Sequence, residues 1–559
     1  MKNSGASAST DLYDEDWQGV TIGQALRRSV ELWPDSEFVI GDGERVTYAD
    51  FDARVDRLAS GLMVLGVTPG DNVACWLTNS PWWILTWFAC CRIGATVVSI
   101  NTRYKTDEVA FILRQSNAKV LVAMPRYWDI DYLGMIREMA PGFEDQQPGN
   151  LKAESLPDLR AVLLWQDKHH PGTRSLTQVM LQPFQSDAVK RAEAAVRSED
   201  PVVIIYTSGT TGVPKGAMHC HRVLIEGQNI ARAMHMEPGD KVLGHMPLYH
   251  VAGCVATVIP AMQHGCGVVL MPQWEPAAAL DLIARERINI MGGIPTHFID
   301  LLQQSEVGPR DTHCLKSAWI GGAPVTPKVA RAVKDTLHFD ALQAVYGMTE
   351  TMGMTTLSEF DAPIEVTCEN KGKPVGDYEV KIVDPETGKV KALGEDGEIW
   401  VRGYLVMLGY YKNEEATRTA ITPDGWFRTG DLGRFDADGY LQITGRAKEM
   451  FIVGGSNAYP AEIERYLETH PDVDQAVVCG APHERLGEVC FAFVMPKTGV
   501  PLSPETVIDF CRGAIADYKL PRRVQIVEDF PRTTTNKIQR YLLQQEVLRI
   551  VGDDAATRA

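Results

Sequence analysis

The sequence predicts an α/β protein with three parts: a large N-terminal domain of parallel α/β sheets, a β-hairpin-rich subdomain at its end, and a small C-terminal α/β domain. Three observations lead there. Apolar, β-rich runs alternate with helical stretches from Val73 to Tyr346, the pattern of parallel sheets covered on both faces. Between Tyr378 and Arg446 strand-like runs lie between the turns DGE, DGW and DGY, which suit antiparallel hairpins. After Arg446 a shorter alternation of strands and helices begins. The domain boundary is therefore expected at 446–448, giving domains 1–446 and 447–559.

Taken in order, a helix opens near Phe51. Phe51, Val55, Leu58, Leu62 and Leu65 share one face, and Thr47 and Asp50 stand before it as candidate caps. Buried strands are expected at 73–77, 95–100, 119–123, 161–165 and 202–206, then at 242–246, 268–271, 288–291, 318–320 and 342–346. The polar stretch 142–157, with its Pro, Gly and Asn residues, is expected to be an exposed loop. Hairpin strands follow at 379–383, 398–401 and 440–444, and the small domain has strands at 476–479, 489–494 and 523–527. No internal repeat is visible.

Composition narrows the function. With 559 residues, 45% of them hydrophobic and 23% charged, the chain can bury large cores, and disorder or a disulfide-stapled miniprotein is excluded. The net charge of −17 is spread so that neither domain is basic, which argues against nucleic acid as a partner. The eleven cysteines are scattered except for Cys90 and Cys91, with no Cys-x-x-Cys. That fits reduced thiols in a cytoplasmic protein and gives no zinc pattern. The N-terminus has no apolar core of a signal peptide. The most apolar run, 81–91, stops at Arg92, short of the roughly 20 residues a transmembrane segment needs.

The strongest local signal is VVIIYTSGTTGVPKG at 202–216. A buried strand enters a run of glycines and hydroxyls that ends in Lys215, and a helical pattern is read after it. Glycines let backbone N–H groups close on an anion, the hydroxyls of Thr207, Ser208, Thr210 and Thr211 donate, and Lys215 adds charge. This is a phosphate cradle by composition. It is not a Walker A motif, which requires Ser or Thr after the lysine. A plain surface turn would not need so many phosphate-type residues in succession.

Residues 206–216 resemble the signature loop of the adenylate-forming superfamily, which holds acyl-CoA synthetases, peptide-synthetase adenylation domains and luciferases. Further motifs follow in the family's order, and the resemblance covers about Thr21 to Leu543. It implies that Thr207, Ser208, Gly209, Thr210, Thr211, Gly212 and Lys215 hold ATP phosphates. Met246-Pro-Leu-Tyr-His250 resembles the segment whose histidine borders the acyl pocket, although a lone histidine there would more simply be a satisfied core residue. Gly321-Gly-Ala-Pro324, with Gly321, Gly322 and Ala323, resembles the loop beside adenine. Tyr346-Gly-Met-Thr-Glu350 brings Tyr346, Gly347, Met348 and Thr349 to the nucleotide and Glu350 to Mg²⁺, a hard cation suited to a carboxylate.

In Trp426-Phe-Arg-Thr-Gly-Asp431, Asp431 resembles the carboxylate that accepts the ribose hydroxyls, and Arg446 matches the arginine near ribose and phosphate. Lys448 stands at the family's hinge, beyond which the resemblance implies a mobile domain. Gly454 and Gly455 resemble the loop lining the pantetheine tunnel. Tyr518 and Arg522 fall where related ligases contact the nucleotide end of CoA. Thr533-Thr-Thr-Asn-Lys537 resembles the catalytic-lysine motif, with Asn536 where the family commonly has Gly. Asn is among the residues that best tolerate φ > 0.

Together these imply an AMP-forming carboxylate–CoA ligase. ATP and the acid give an acyl-adenylate and pyrophosphate with Lys537, Lys215, Thr349 and Glu350·Mg²⁺ stabilising charge, and CoA then displaces AMP. Acyl-pocket candidates are His250, Val251, Ala252, Gly253, Trp319, Gly322, Gly347, Met352 and Gly353. Most are small or apolar, and no Asp follows His250 to hold a substrate ammonium. A medium-chain, alicyclic or aryl acid is expected, though Trp319 closing the pocket would favour a short one. The partners are a small-molecule acid, ATP and CoA, and a homodimer is one assembly the sequence allows. The rivals are an adenylating enzyme that loads a carrier protein, a luciferase-like oxygenase and a nucleotide-binding regulator without catalysis.

Overall fold

The computed structural model describes residues 15–166, 168–207, 214–305, 310–322, 325, 327–385, 387–446, 449–453, 456–483, 486–512, 514–515, 517–532 and 538–558. Contacts divide the chain into two compact units. The first comprises Met1–Glu379 with Arg402–Phe427, the second Val380–Val401 with Arg428–Ala559.

In the first unit an eight-stranded sheet runs in the order Gly409–Tyr410, Lys215–Cys220, Pro201–Thr207, Thr96–Ser99, Asn72–Trp76, Ala118–Ala123, Ala161–Leu164 and Thr173–Ser175. From Pro201–Thr207 onward neighbouring strands are parallel, and at the other edge two antiparallel pairings follow. This edge departs from the sequence reading in one respect. The residues after the hydroxyl-rich run form the strand Lys215–Cys220, and the helix starts only at Val223. Its Gly, Ala and Met residues carry little strand propensity, so the pairing with Pro201–Thr207 decides the outcome.

The unit's other strands run in the order Lys371–Pro374, Thr356–Leu357, Ala341–Tyr346, Ser317–Gly321, Ile290–Gly293, Lys241–Gly244, Gly267–Leu270, Glu37–Gly41 and Glu44–Thr47. Leu243, Val269, Met291, Ala318 and Ile320 pack beneath the helices Pro276–Glu286, Pro295–Ser305 and Pro327–Leu337 in one apolar core.

Helix starts follow local chemistry. Thr47 accepts the Asp50 N–H and caps Tyr48–Val64, so Asp50 lies in the first turn rather than at the cap. Ser80 caps Pro81–Arg92, whose residues are buried on nearly every face. The most apolar run of the sequence is thus a core helix, and among the described residues no helix is long and apolar enough to cross a membrane. Its terminal Arg92 is fully buried and donates to Asp52 at 2.7 Å and Asp56 at 2.6 Å. The stretch 142–157 is less exposed than expected, because Phe143, Leu151 and Leu156 insert into the core and anchor it.

In the second unit, strands Glu379–Val383, Gly397–Arg402, Phe427–Phe435 and Leu441–Arg446 lie side by side. The last two are antiparallel with a bulge at Leu432/Gly433. A five-stranded sheet holds Ser456–Ala458, Phe451–Val453, Gly487–Pro496, Val473–His483 and Arg523–Ile526, the last parallel to its neighbour. Helices Pro460–Leu467, Pro504–Cys511 and Arg540–Arg558 belong to the same unit.

Candidate active site

In the first unit the site is organised by the edge hairpin Pro201–Thr207/Lys215–Cys220. Thr207 pairs with Lys215 and Tyr206 with Gly216. The Thr207 hydroxyl donates to the Lys215 carbonyl at 3.4 Å, so the two ends of the hydroxyl-rich run are held together. Ser208, Gly209, Thr210, Thr211 and Gly212 lie outside the described residues. Gly216 is required by packing, since a Cβ there would fall 2.6 Å from Ile204 Cγ2 and 3.2 Å from the Tyr206 ring.

Side chains alternate along the strand, so Lys215, Ala217 and His219 share one face. Tyr410 pairs with Ala217 and therefore stands on that face, between the lysine and the histidine. The Lys215 ammonium lies 5.3 Å from the Tyr410 ring centroid. The Tyr410 hydroxyl donates to Glu350 Oε1 at 2.9 Å. Burial, then the Glu350 charge, pushes the Tyr410 phenol upward, so it remains a donor. Glu350 is itself buried, and its backbone carbonyl accepts the Met407 N–H at 2.9 Å.

His219 holds the neighbouring residue. Its Nε2 lies 2.7 Å from the Thr349 carbonyl and, facing an acceptor, carries the proton. Complete burial lowers its pKa to about 4, so the ring is neutral. Thr349, Glu350 and Thr351 form a 3₁₀ turn, followed by Met352 and Gly353 at φ 58° and 104°. The reversal is tight. A Cβ on Gly347 would meet the Gly353 carbonyl oxygen at 2.1 Å, and one on Gly353 would touch Val251 Cγ2 at 3.4 Å. Gly347, Gly353 and Val251 are thereby brought together, and Met352, next in the chain to Gly353, is fully buried.

His250 is half-buried, and its Nδ1 accepts the Ala252 N–H at 3.4 Å at the start of the short helix Val251–Gly253. Gly253 is pressed against the Pro247 carbonyl. Trp319 lies flat on the sheet, its indole covering Gly292 of the neighbouring strand, where a Cβ would sit 1.7 Å from Cε2. Gly321 packs on the Val345 carbonyl, and Gly322 is exposed at φ 75°. Ala323 lies outside the described residues. Tyr346 and Met348 are half-buried at the end of strand Ala341–Tyr346 and the start of the turn.

In the second unit Asp431 and Arg446 face each other in the hairpin register, Arg446 Nε lying 2.9 Å from Asp431 Oδ1. The Asp431 N–H donates to the Thr429 hydroxyl at 3.0 Å. Tyr518 is in a 3₁₀ turn against the apolar core, and Arg522 is exposed with its N–H bonded to the Cys490 carbonyl at 2.8 Å. Lys448, Gly454, Gly455 and Lys537 lie outside the described residues. On either side of residues 533–537, Arg532 bridges Ile538, and Arg540 donates to Glu464 at 2.7 Å.

Among the described residues no group of three or more His, Cys, Asp or Glu gathers to hold a metal by itself. Glu350 suits a different arrangement. One of its oxygens is held by Tyr410 and the other meets no donor among the described residues, which fits a Mg²⁺ carried largely by substrate phosphates. Two residues escaped the sequence reading, Tyr410 and His219. Neither carries a spacing signal toward its partner, because sheet pairing alone creates the proximity.

The AMP-binding enzyme family matches residues 26–411, and the AMP-binding enzyme C-terminal domain matches 462–537. The putative acyl-CoA synthetase YngI of Bacillus subtilis (strain 168) is 34% identical over 535 residues, 95% of this chain and 97% of its own length. The mitochondrial medium-chain acyl-CoA ligase ACSF2 of Bos taurus is 34% identical over 538 residues, 94% of this chain and 87% of that protein. ATP-bound MatB from Rhodopseudomonas palustris matches with a TM-score of 0.82 at 28% identity, covering 94% of this chain and 98% of that one. The anthranilate CoA ligase AuaEII in complex with anthranoyl-AMP gives 0.83 at 26% identity, covering 97% and 99%.

Proposed function

The chain belongs to the AMP-binding enzyme family and is an AMP-forming acid–CoA ligase; from that premise we propose which acid it takes and which residues act. The acid is a medium-chain fatty, alicyclic or aryl carboxylate. The observation that carries this is the close packing of Gly347, Gly353 and Val251, an apolar, small-residue cluster beside the Thr349–Glu350 turn. The ACSF2 relatives, named as medium-chain ligases, support it.

In the first half-reaction the acid carboxylate attacks the α-phosphorus of ATP and pyrophosphate leaves. Thr207, the hydroxyl-rich run 208–212 and Lys215 bind the phosphates, with Thr349 as a further donor. Glu350 is the residue that would hold Mg²⁺, which supplies positive charge against the triphosphate. Tyr346, Gly321, Gly322 and Ala323 receive the adenine, and Asp431 and Arg446 the ribose. The catalytic lysine is Lys537, whose ammonium neutralises the charge that develops as pyrophosphate leaves.

In the second half-reaction the CoA thiolate attacks the adenylate carbonyl and AMP departs. Lys448 is the hinge between domains 1–446 and 447–559, and Gly454, Gly455, Tyr518 and Arg522 serve CoA. No protein nucleophile is required. All eleven cysteines are free thiols, ten of them buried, in keeping with a cytoplasmic enzyme.

The test is mass-spectrometric product analysis with Mg·ATP, CoA and short, medium, long and aryl acids. AMP with a medium-chain or aryl acyl-CoA is expected. Turnover confined to short acids would overturn the substrate assignment, and acyl-adenylate without thioester would overturn CoA as the acceptor.

A further inference from the structure

We propose that Tyr410 is a positioning residue that keeps Lys215 and Glu350 apart and individually directed toward the nucleotide. This rests on the assignment of those two residues to ATP and Mg²⁺ above.

The lysine and the carboxylate come from distant parts of the chain and carry opposite charges in a half-buried setting. Left adjacent, they would pair and cancel. Among the described residues Lys215 forms no ion pair, because the phenol stands between the two groups. Its ring takes the ammonium at 5.3 Å, and its hydroxyl takes Glu350 Oε1 at 2.9 Å. A cation over an aromatic face is held without being neutralised. A carboxylate that accepts one neutral O–H keeps its full charge, and its second oxygen stays unengaged among the described residues.

The backbone enforces this placement. Tyr410 is locked opposite Ala217, the Tyr411 N–H donates to the Gly216 carbonyl at 2.8 Å, and the Leu408 N–H donates to Met218 at 2.9 Å. The Tyr411 hydroxyl accepts from Asn72 at 2.9 Å, and its carbonyl accepts from Gln115 at 2.7 Å. Ala217 has only a methyl on the shared face and leaves room for the ring. On the other flank the Met407 N–H anchors the Glu350 backbone, so the segment 407–411 holds that residue at both main chain and side chain.

The test measures both half-reactions and metal binding. Tyr410→Phe keeps the ring beneath Lys215 and removes only the hydroxyl. Acyl-adenylate formation should fall roughly tenfold in kcat, while thioester formation from supplied acyl-adenylate stays within about twofold. Binding of Mn²⁺ with α,β-methylene-ATP, read by electron paramagnetic resonance, should weaken at least about fivefold. Tyr410→Ala, which also lets the charges meet, should lower adenylation by a further factor of about ten.

Glu350→Gln separates this proposal from the assignment beneath it. If Tyr410 acts through Glu350, adding Tyr410→Phe to Glu350→Gln costs nothing more. An undiminished Tyr410→Phe effect in that background, equal losses in both half-reactions, or unchanged Mn²⁺ binding would overturn the role of Tyr410. A Glu350→Gln enzyme with normal adenylation and Mn²⁺ binding would instead overturn the assignment of Glu350.

Discussion

His219 offers a perturbation whose size follows from the structure. The ring is fully buried and neutral, its pKa lowered from 6.5 to about 4 by burial. The unfolded chain takes up a proton below about pH 6.5, while the folded chain resists until about pH 4. The contribution is therefore intact above pH 6.5 and is lost as pH falls through that window. At pH 5 the protonation difference amounts to about 2 kcal/mol of lost stability from this side chain alone. His219→Gln retains an N–H for the Thr349 carbonyl and cannot titrate. The variant should lose about 2 kcal/mol less than the wild type between pH 8 and pH 5.

Urea unfolding followed by tryptophan fluorescence measures the difference, because every tryptophan except Trp400 lies in the first unit. The comparison must be variant against wild type. His221, His264 and His297 are also lowered to about 4, and buried Glu226 moves the opposite way, so the absolute pH profile is a composite. Identical pH dependence in the two proteins would refute the claim that burial holds His219 neutral. His219→Leu removes the donor and leaves a buried carbonyl unsatisfied, which costs about 1–3 kcal/mol at any pH.

Three further outcomes are expected. Glu226 is raised from 4.5 to about 8 by burial, so its contribution is full below pH 4.5 and is lost as pH rises toward 8; Glu226→Gln should be clearly more stable than wild type in urea at pH 8 and about equal at pH 4.5. Gly292→Ala sets a methyl into the Trp319 indole and should cost about 1–3 kcal/mol on thermal unfolding, while shifting KM across an acid chain-length series more than KM for ATP; an unchanged acid profile would remove Trp319 from the pocket. Lys537→Ala should slow adenylation about 100-fold, near 2.7 kcal/mol, and spare thioester formation from supplied acyl-adenylate; equal damage to both would remove it as the adenylation lysine.

Much of the fold was legible because parallel, doubly covered strands are continuous apolar runs, as in Asn72–Trp76, Thr96–Ser99 and Ala118–Ala123, all buried throughout or nearly so. The edge of the same sheet was not. Lys215–Cys220 carries a lysine, a glycine and a histidine, and it is a strand only because Pro201–Thr207 and Gly409–Tyr410 flank it. A single sequence has no record of that pairing. Phe143, Leu151 and Leu156 show the converse, three apolar residues hidden among Pro, Gly and Asn that nonetheless anchor their segment in the core.

The same physics separates the parts of the site that could be read from those that could not. The glycines and hydroxyls at 207–212 and the turn at 346–350 are contiguous, and their chemistry is written in consecutive residues. What links Glu350 and Lys215 is a third segment with no charge and no motif of its own. Strand alternation sends Lys215 and His219 to one face, and antiparallel register sets Tyr410 opposite Ala217 between them. From there His219 reaches the Thr349 carbonyl and Tyr410 reaches the Glu350 carboxylate, so two adjacent residues of one turn are gripped by neighbouring side chains of one sheet face. A branched side chain at 217 would crowd that face. Ala217→Val should therefore disturb Tyr410, and adenylation should drop while thioester formation from acyl-adenylate persists. A variant that adenylates normally would mean the ring tolerates displacement and the shared face is not what orients the turn.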